Sequence, residues 1–177
     1  MGKKINLTFH PAHPDLAEMF YQWRQDPEMK KYNPMANSSV EQLRERLAKG
    51  SSGFEDFQNA ERFAWFVKLD SEWVASVNCQ NINKTMLNAE IGYNVIAFAR
   101  GKGIATECVR WITEQLFEHT PLRKLIAFVH EDNIASLKVL EKIGYRREGL
   151  LREHYLINGV PANEVMFGLL KSEFLER

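Results

Sequence analysis

Arg100, Gly101, Lys102 and Gly103 place two glycines and two cations in consecutive positions, directly ahead of an amphipathic run. A glycine turn that opens a helix is an anion site. The first backbone N–H groups of the helix lack internal partners, and the helix dipole favours negative charge there. Two phosphate motifs are testable by spacing. A Walker loop needs Gly-Lys-Ser/Thr, but Lys102 is followed by Gly103; a Rossmann fingerprint needs a third small residue where Thr106 stands. Both fail, so the turn alone reads equally as a tight turn or a ligand turn. His10 and His13 are separated by Pro11 and followed by Pro14, which keeps them off a shared helical face and argues against a metal pair. Cys79 and Cys108 form no CxxC and read as small buried hydrophobes rather than a disulfide or zinc pair.

The elements that must position the turn follow from periodicity. Residues 5–9 suit a first strand ended by Pro11 and Pro14, and a helix fits 15–24. Residues 25–39 are loop-like, broken by Pro27, Pro34 and Asn37; Ser38 with Glu41 makes a capping box for a helix through Leu43, Leu47 and Ala48. Residues 63–70 and 72–82 read as antiparallel strands around Asp70 and Ser71, and 89–96 as another strand. After Gly103, the spacing of Ala105, Cys108, Val109, Ile112 and Leu116 gives a helix with one core face, stopped by Pro121. Residues 124–130 suit a strand buried on both faces, and Asn133 caps a helix that Gly144 terminates. Residues 145–157 and 164–174 flank Asn158 and Gly159 as a strand pair. The order β-α-α-β-β-β-α-β-α-β-β predicts a mixed α/β sheet with helices packed on it, in a single domain over 1–177.

Composition narrows the partners. Lys plus Arg number 23 and so do Asp plus Glu, so no excess positive charge favours nucleic acid. No apolar run approaches the roughly 18 residues of a membrane span, and the first ten residues lack the apolar core of a secretory signal. These features predict a soluble, cytoplasmic protein without membrane or nucleic-acid partners.

The segments 90–107 and 129–149 together resemble the GNAT superfamily of acyl-CoA-dependent N-acetyltransferases. The family's Arg/Gln-x-x-Gly-x-Gly/Ala turn falls on Arg100, Gly101, Lys102, Gly103, Ile104 and Ala105. Its second element falls on Asn133, Ser136, Leu140, Glu141, Lys142, Gly144 and Tyr145. Residues 23–32 and 164–174 resemble the branch of the Rim-type ribosomal-protein N-terminal acetyltransferases. The resemblance implies a mostly antiparallel sheet of six to seven strands, splayed between the fourth and fifth, with about four helices. It also implies acetyl-CoA as cosubstrate and no metal. Backbone N–H groups from Gly101 to Ala105 would hold the pyrophosphate, with Arg100 and Lys102 adding charge. Strand backbone near Val95 would pair with the pantetheine arm, and Asn133 would meet that arm or serve only as helix cap.

Acetyl transfer to an amine needs a neutral amine, a donor for the oxyanion and a proton for the thiolate. Glu90, at the start of the strand leading to the turn, is the candidate base acting through water; it reads otherwise as a solvated strand-end carboxylate. Glu107 reads as a surface residue of the following helix. Many family members place a Tyr seven residues after the Asn, where this chain has Leu140. Ser136 is the substitute the Rim-like branch implies, or a first-turn polar residue. Tyr145 reads as core, and His130 as a strand-end hydrogen-bonding residue or a more remote acid or base. On the acceptor side the resemblance points to Phe20, Trp23, Tyr32, Met35 and residues 154–164, with at least one of Phe20 and Trp23 in the core. The acceptor is expected to be a protein N-terminal α-amine. A small amine such as a polyamine, amino acid or aminoglycoside is the alternative, and a noncatalytic acyl-CoA sensor is the reading of another class. Monomer and homodimer stay equally open.

Overall fold

Alternating apolar and polar side chains build the sheet on which everything else is arranged. The computed structural model describes residues 5–33, 38–50 and 53–176. Its strands are β1 (Leu7–Pro11), β2 (Phe63–Leu69), β3 (Glu72–Asn83), β4 (Asn88–Val95), β5 (Lys124–His130), β6 (Arg146–Ile157) and β7 (Val160–Leu170). Its helices are α1 (Ala17–Trp23), α2 (Pro27–Tyr32), α3 (Val40–Ala48), α4 (Ile104–His119), α5 (Ile134–Ile143) and α6 (Lys171–Leu175). The strands lie in the order β1-β2-β3-β4-β5-β7-β6. The mixed α/β sheet expected from the sequence is therefore present, with the short helices α2 and α6 added to the expected four. Among the described residues, no helix is long and apolar enough to cross a membrane.

One pair of strands shapes the site. β4 and β5 are parallel neighbours, whereas the other adjacent pairs are antiparallel. They are hydrogen-bonded only over Asn88–Glu90 against Lys124–Ile126. Beyond those rungs β4 stays paired to β3 as far as Val95, and β5 stays paired to β7 as far as His130. The strands thus part, leaving backbone groups on their inner edges without strand partners. α4 follows β4 and α5 follows β5, so both helix N-termini stand at the wide end of the opening.

The two faces of the sheet are covered unequally. α4 and α5 cover one face, burying Ala89, Ile91 and Val95 of β4 and Leu125, Ala127 and Val129 of β5 under Cys108, Ile112, Leu116, Leu137 and Leu140. On the other face, Ala17, Leu43 and Leu47 pack on Phe66 of β2. β5 therefore alternates: Lys124, Ile126, Phe128 and His130 are only half-buried, which corrects the expectation of burial on both faces. Cys79 and Cys108 are buried free thiols whose pKa burial raises to about 12.

Local corrections concern the chain before β2. The first strand is Leu7–Pro11, so Pro11 belongs to it, as an edge strand tolerates. Residues 27–32, expected as loop, are α2: Asp26 Oδ1 accepts from the Glu28 N–H at 3.1 Å, and Pro27 occupies the first helical position, where no N–H is needed. The capping box of α3 is Ser39 with Gln42, one residue beyond the expected Ser38 and Glu41. Pro34 and Asn37 lie outside the described residues.

Candidate active site

The glycine turn sits at the wide end of the opening. Gly101 has φ 74° and Gly103 φ 83°, both in the left-handed region. A Cβ at Gly101 would meet nothing within 4 Å, and one at Gly103 only Ile5 Cδ1 at 3.4 Å. Conformation, not space, demands glycine here. Gly103 is the N-cap of the 16-residue α4, and no side chain caps that end. The N–H groups of Ile104, Ala105 and Thr106 therefore have no intrahelical partner, and the dipole adds positive potential. Exposed Lys102 lies with Nζ 5.9 Å from the Phe98 ring centroid. Arg100 already has partners: Nε donates to the Val95 carbonyl at 2.9 Å, and Nη2 forms an ion pair with Asp26, the cap of α2. It braces the turn against α2. Glu107 lies on the surface, with Arg110 at 3.8 Å.

Glu90 occupies the last paired rung between β4 and β5, the closed end of the opening. Its Oε1 accepts from Gln80 Nε2 at 2.9 Å and its Oε2 from Asn81 Nδ2 at 2.7 Å. Adjacent residues of a regular strand point to opposite faces, so both amides reach one carboxylate only because β3 is irregular there. Asn81 has φ 51°, and the β3–β4 register shifts between Gln80 and Asn83. Arg46 of α3 donates from Nη2 to Gln80 Oε1 at 3.0 Å, adding positive charge beside the group. Each carboxylate oxygen retains a lone pair for water or an ammonium. No local sequence signal marks Gln80 and Asn81, whose convergence depends on the irregular strand.

Asn133 caps α5: its Oδ1 accepts from the Ser136 N–H at 3.2 Å. Tyr93 of β4 donates from its hydroxyl to the Ser136 carbonyl at 3.2 Å, and burial pushes the phenol pKa up to about 12. Ser136 is thereby held beside the opening from both sides, and its own hydroxyl makes no hydrogen bond among the described residues. Leu140 is fully buried, leaving no hydroxyl at the position where the family resemblance looks for a Tyr. Tyr145 is core, its hydroxyl 2.9 Å from Thr113 Oγ1. Tyr93 escaped sequence reading because it lies outside both motifs.

Residues from distant segments meet on the other face. Phe20 and Trp23 pack against Phe66, with ring centroids 5.2 and 5.7 Å away, so both belong to the smaller core. Tyr32 lies 5.3 Å from His130, which lies 6.1 Å from Tyr155. Together the three rings join α2, the end of β5 and the β6–β7 hairpin. His130 Nδ1 accepts from the Asp132 N–H at 3.0 Å, leaving Nε2 as the other hydrogen-bonding nitrogen. Glu164, directly opposite His130 on β7, is 2.6 Å from His154 Nδ1. Asn78 and Asn94 share the face of Glu90, and their buried Oδ1 atoms make no hydrogen bond. Met35 lies outside the described residues. Among the described residues, no cluster of three or more His, Cys, Asp or Glu side chains is placed to hold a metal ion.

Residues 6–146 match the Acetyltransferase (GNAT) domain family. The chain is 31% identical over 169 residues to p20, an uncharacterized N-acetyltransferase of Bacillus licheniformis, covering 95% of this chain and 94% of that one. Its fold matches that of the spermidine N-acetyltransferase from Vibrio cholerae in complex with CoA and spermine, with TM-score 0.83 and 19% identity over 96% of this chain and 98% of that one. It also matches RimJ of Mycobacterium smegmatis in complex with CoA-disulfide, with TM-score 0.80 and 21% identity over 94% of this chain and 83% of that one. The structural likenesses speak for the fold alone; the domain match and the p20 relative carry more. The chain belongs to the GNAT acetyltransferase family and is an N-acetyltransferase.

Proposed function

We propose that the chain moves an acetyl group from acetyl-CoA to an α-amine, such as a protein N-terminus. The observation that carries this reading is the parting of β4 and β5 beyond Glu90, with the uncapped end of α4 at its mouth. N–H groups from Gly101 to Ala105 would hold the pyrophosphate, with Lys102 adding charge and Arg100 bracing the turn. The inner edge of β4 near Val95 would pair with the pantetheine arm, beside the first turn of α5 that Asn133 caps. The fit is physical: unpartnered donors, left-handed glycines and open space at Gly101.

Acetyl-CoA supplies the acetyl group as an activated thioester. Glu90 would take the proton of the incoming ammonium through one bridging water, its carboxylate held by Gln80 and Asn81. Ser136 would offer its hydroxyl to the sulfur. An α-amine, with a pKa near 7.7–8.0, is already partly neutral at pH 7, whereas a lysine-like amine near 10.4 is almost wholly protonated. A carboxylate engaged by two amides suits the lighter task. Transfer to a small amine is the second reading, favoured by Glu131, Asp132 and Glu164 around His130 at the mouth.

Thiol release from acetyl-CoA across N-terminal peptides, amino acids, polyamines and aminoglycosides tests this. The expected result is a kcat/KM for α-amines at least about tenfold above that for polyamines. Polyamines as the fastest acceptors would replace this reading with the second.

A further inference from the structure

Arg24, at the C-terminal end of α1, is 5% exposed, and its Nε and Nη2 make no hydrogen bond. A buried guanidinium without a hydrogen-bond acceptor is unfavourable, and the cation–π contact of Arg24 with the Phe20 ring offsets only part of the hydration it has lost. Among the described residues no carboxylate offsets it. Burial and the like charge of Arg46 lower its pKa to about 10. Residues 34–37, Pro-Met-Ala-Asn, contain no acid either. A second buried arginine lies nearby: Arg46 also acts on Arg62, whose Nε and Nη1 are buried and unpartnered.

The place of Arg24 connects it to the site. It stands one turn beyond Phe20, whose ring is 5.7 Å from the Arg24 Cζ and packs on Phe66. Phe66 lies opposite Ser76, and Ser76 opposite Asn94. The guanidinium therefore belongs to the sheet face that carries Asn78, Asn94, Gln80 and Glu90, and Arg46 joins the two ends by its hydrogen bond to Gln80. On that face Asn78 Oδ1 and Asn94 Oδ1 lack donors, Arg24 Nε and Nη2 lack an acceptor, and the Tyr155 hydroxyl is buried without a partner.

We infer that the acceptor carries an anionic oxygen group, a carboxylate or a phosphate, that is received by the Arg24 guanidinium, while its amine is received on the Asn78, Asn94 and Glu90 side. The inference rests on the acetyltransferase reading and narrows its acceptor to amines that also bear negative charge. Arg24 is then a specificity residue. The unpaired charge is retained because the acceptor completes it.

The test uses matched acceptors with the wild type, R24M and R24K. The set comprises amino acids and their neutral amides, aminoalkyl phosphates and the corresponding amino alcohols, and diamines. For the wild type, the charged member of at least one matched pair is expected to have a kcat/KM tenfold or more above its neutral partner; which pair responds separates carboxylate from phosphate. In R24M that ratio falls to about one, and R24K keeps part of it. R24M is also expected to unfold about 2–4 °C higher without acceptor, because a buried unpaired charge has gone. A role for Arg24 in the fold alone would lower the midpoint instead and leave the ratio intact. Turnover of anionic and neutral acceptors at equal rates would remove the subsite and leave the transferase standing. Should no amine turn over, binding of inorganic phosphate to the CoA-saturated protein decides: loss of binding in R24M supports the site, and equal binding by wild type and R24M overturns it.

Discussion

Replacing Gly101 by alanine isolates what the turn contributes. A Cβ there meets nothing within 4 Å, so no clash contributes. What remains is φ 74°, which an alanine resists by about 1–2 kcal/mol. If the protein relaxes the turn instead of bearing the strain, the competent turn becomes a minor state and CoA affinity falls about 5- to 30-fold. Gly103→Ala adds an ordinary 3.4 Å contact with Ile5 and is expected to behave alike or slightly worse. The position is sensitive through its backbone, not because a small side chain would fill the anion site. Titration calorimetry with CoA, and with acetyl-pantetheine as a fragment lacking the pyrophosphate, checks it. The loss is expected for CoA and not for the fragment. Unchanged CoA affinity in both variants, or equal losses for CoA and fragment, would refute the assignment of the turn to the pyrophosphate.

Glu90→Gln is expected to lower kcat while leaving CoA affinity nearly intact, more so for amines of high pKa; a rate equal to wild type across pH 6 to 9 would remove Glu90 from the mechanism. Tyr145→Phe leaves the buried Thr113 hydroxyl without its 2.9 Å partner, and thermal unfolding is expected to show a loss of about 1–2 kcal/mol, or roughly 2–8 °C, with CoA affinity unchanged.

The glycine turn and the helices on either side of it were legible because their signals are local. Gly101 and Gly103 stand where φ must be positive, Asn133 and Gly144 bracket α5, and the period of α4 follows from packing on one face. α2 was misread because Pro27 was weighed as a breaker, although Asp26-Pro27-Glu28 is a helix start with the proline at its harmless position. The Glu90 cluster was only half legible. The carboxylate stands out, but Gln80 and Asn81 converge on it through a left-handed residue that composition does not announce. Arg24 was invisible for a different reason. At the end of a helix an arginine is expected to reach water, and only the packing of α1 on Phe66 turns it inward.

The opening between β4 and β5 follows from long-range pairing, and its cause bears on function. Each wall of the gap is anchored on its outer side: β4 to β3 through Val95, and β5 to β7 through His130. Tyr93 spans from β4 to the first turn of α5, and Arg100 ties the end of β4 to α2. These contacts hold the walls at fixed positions before any ligand arrives. A thin arm entering such a slot finds backbone donors and acceptors already oriented, so it need not spend binding energy on separating strands. In the proposed arrangement the acceptor side is built differently, from side chains of α1, α2, β3, β4, β5 and the β6–β7 hairpin. Acceptor choice would then change by substitution at Arg24, Asn78 or Tyr155 without disturbing the slot.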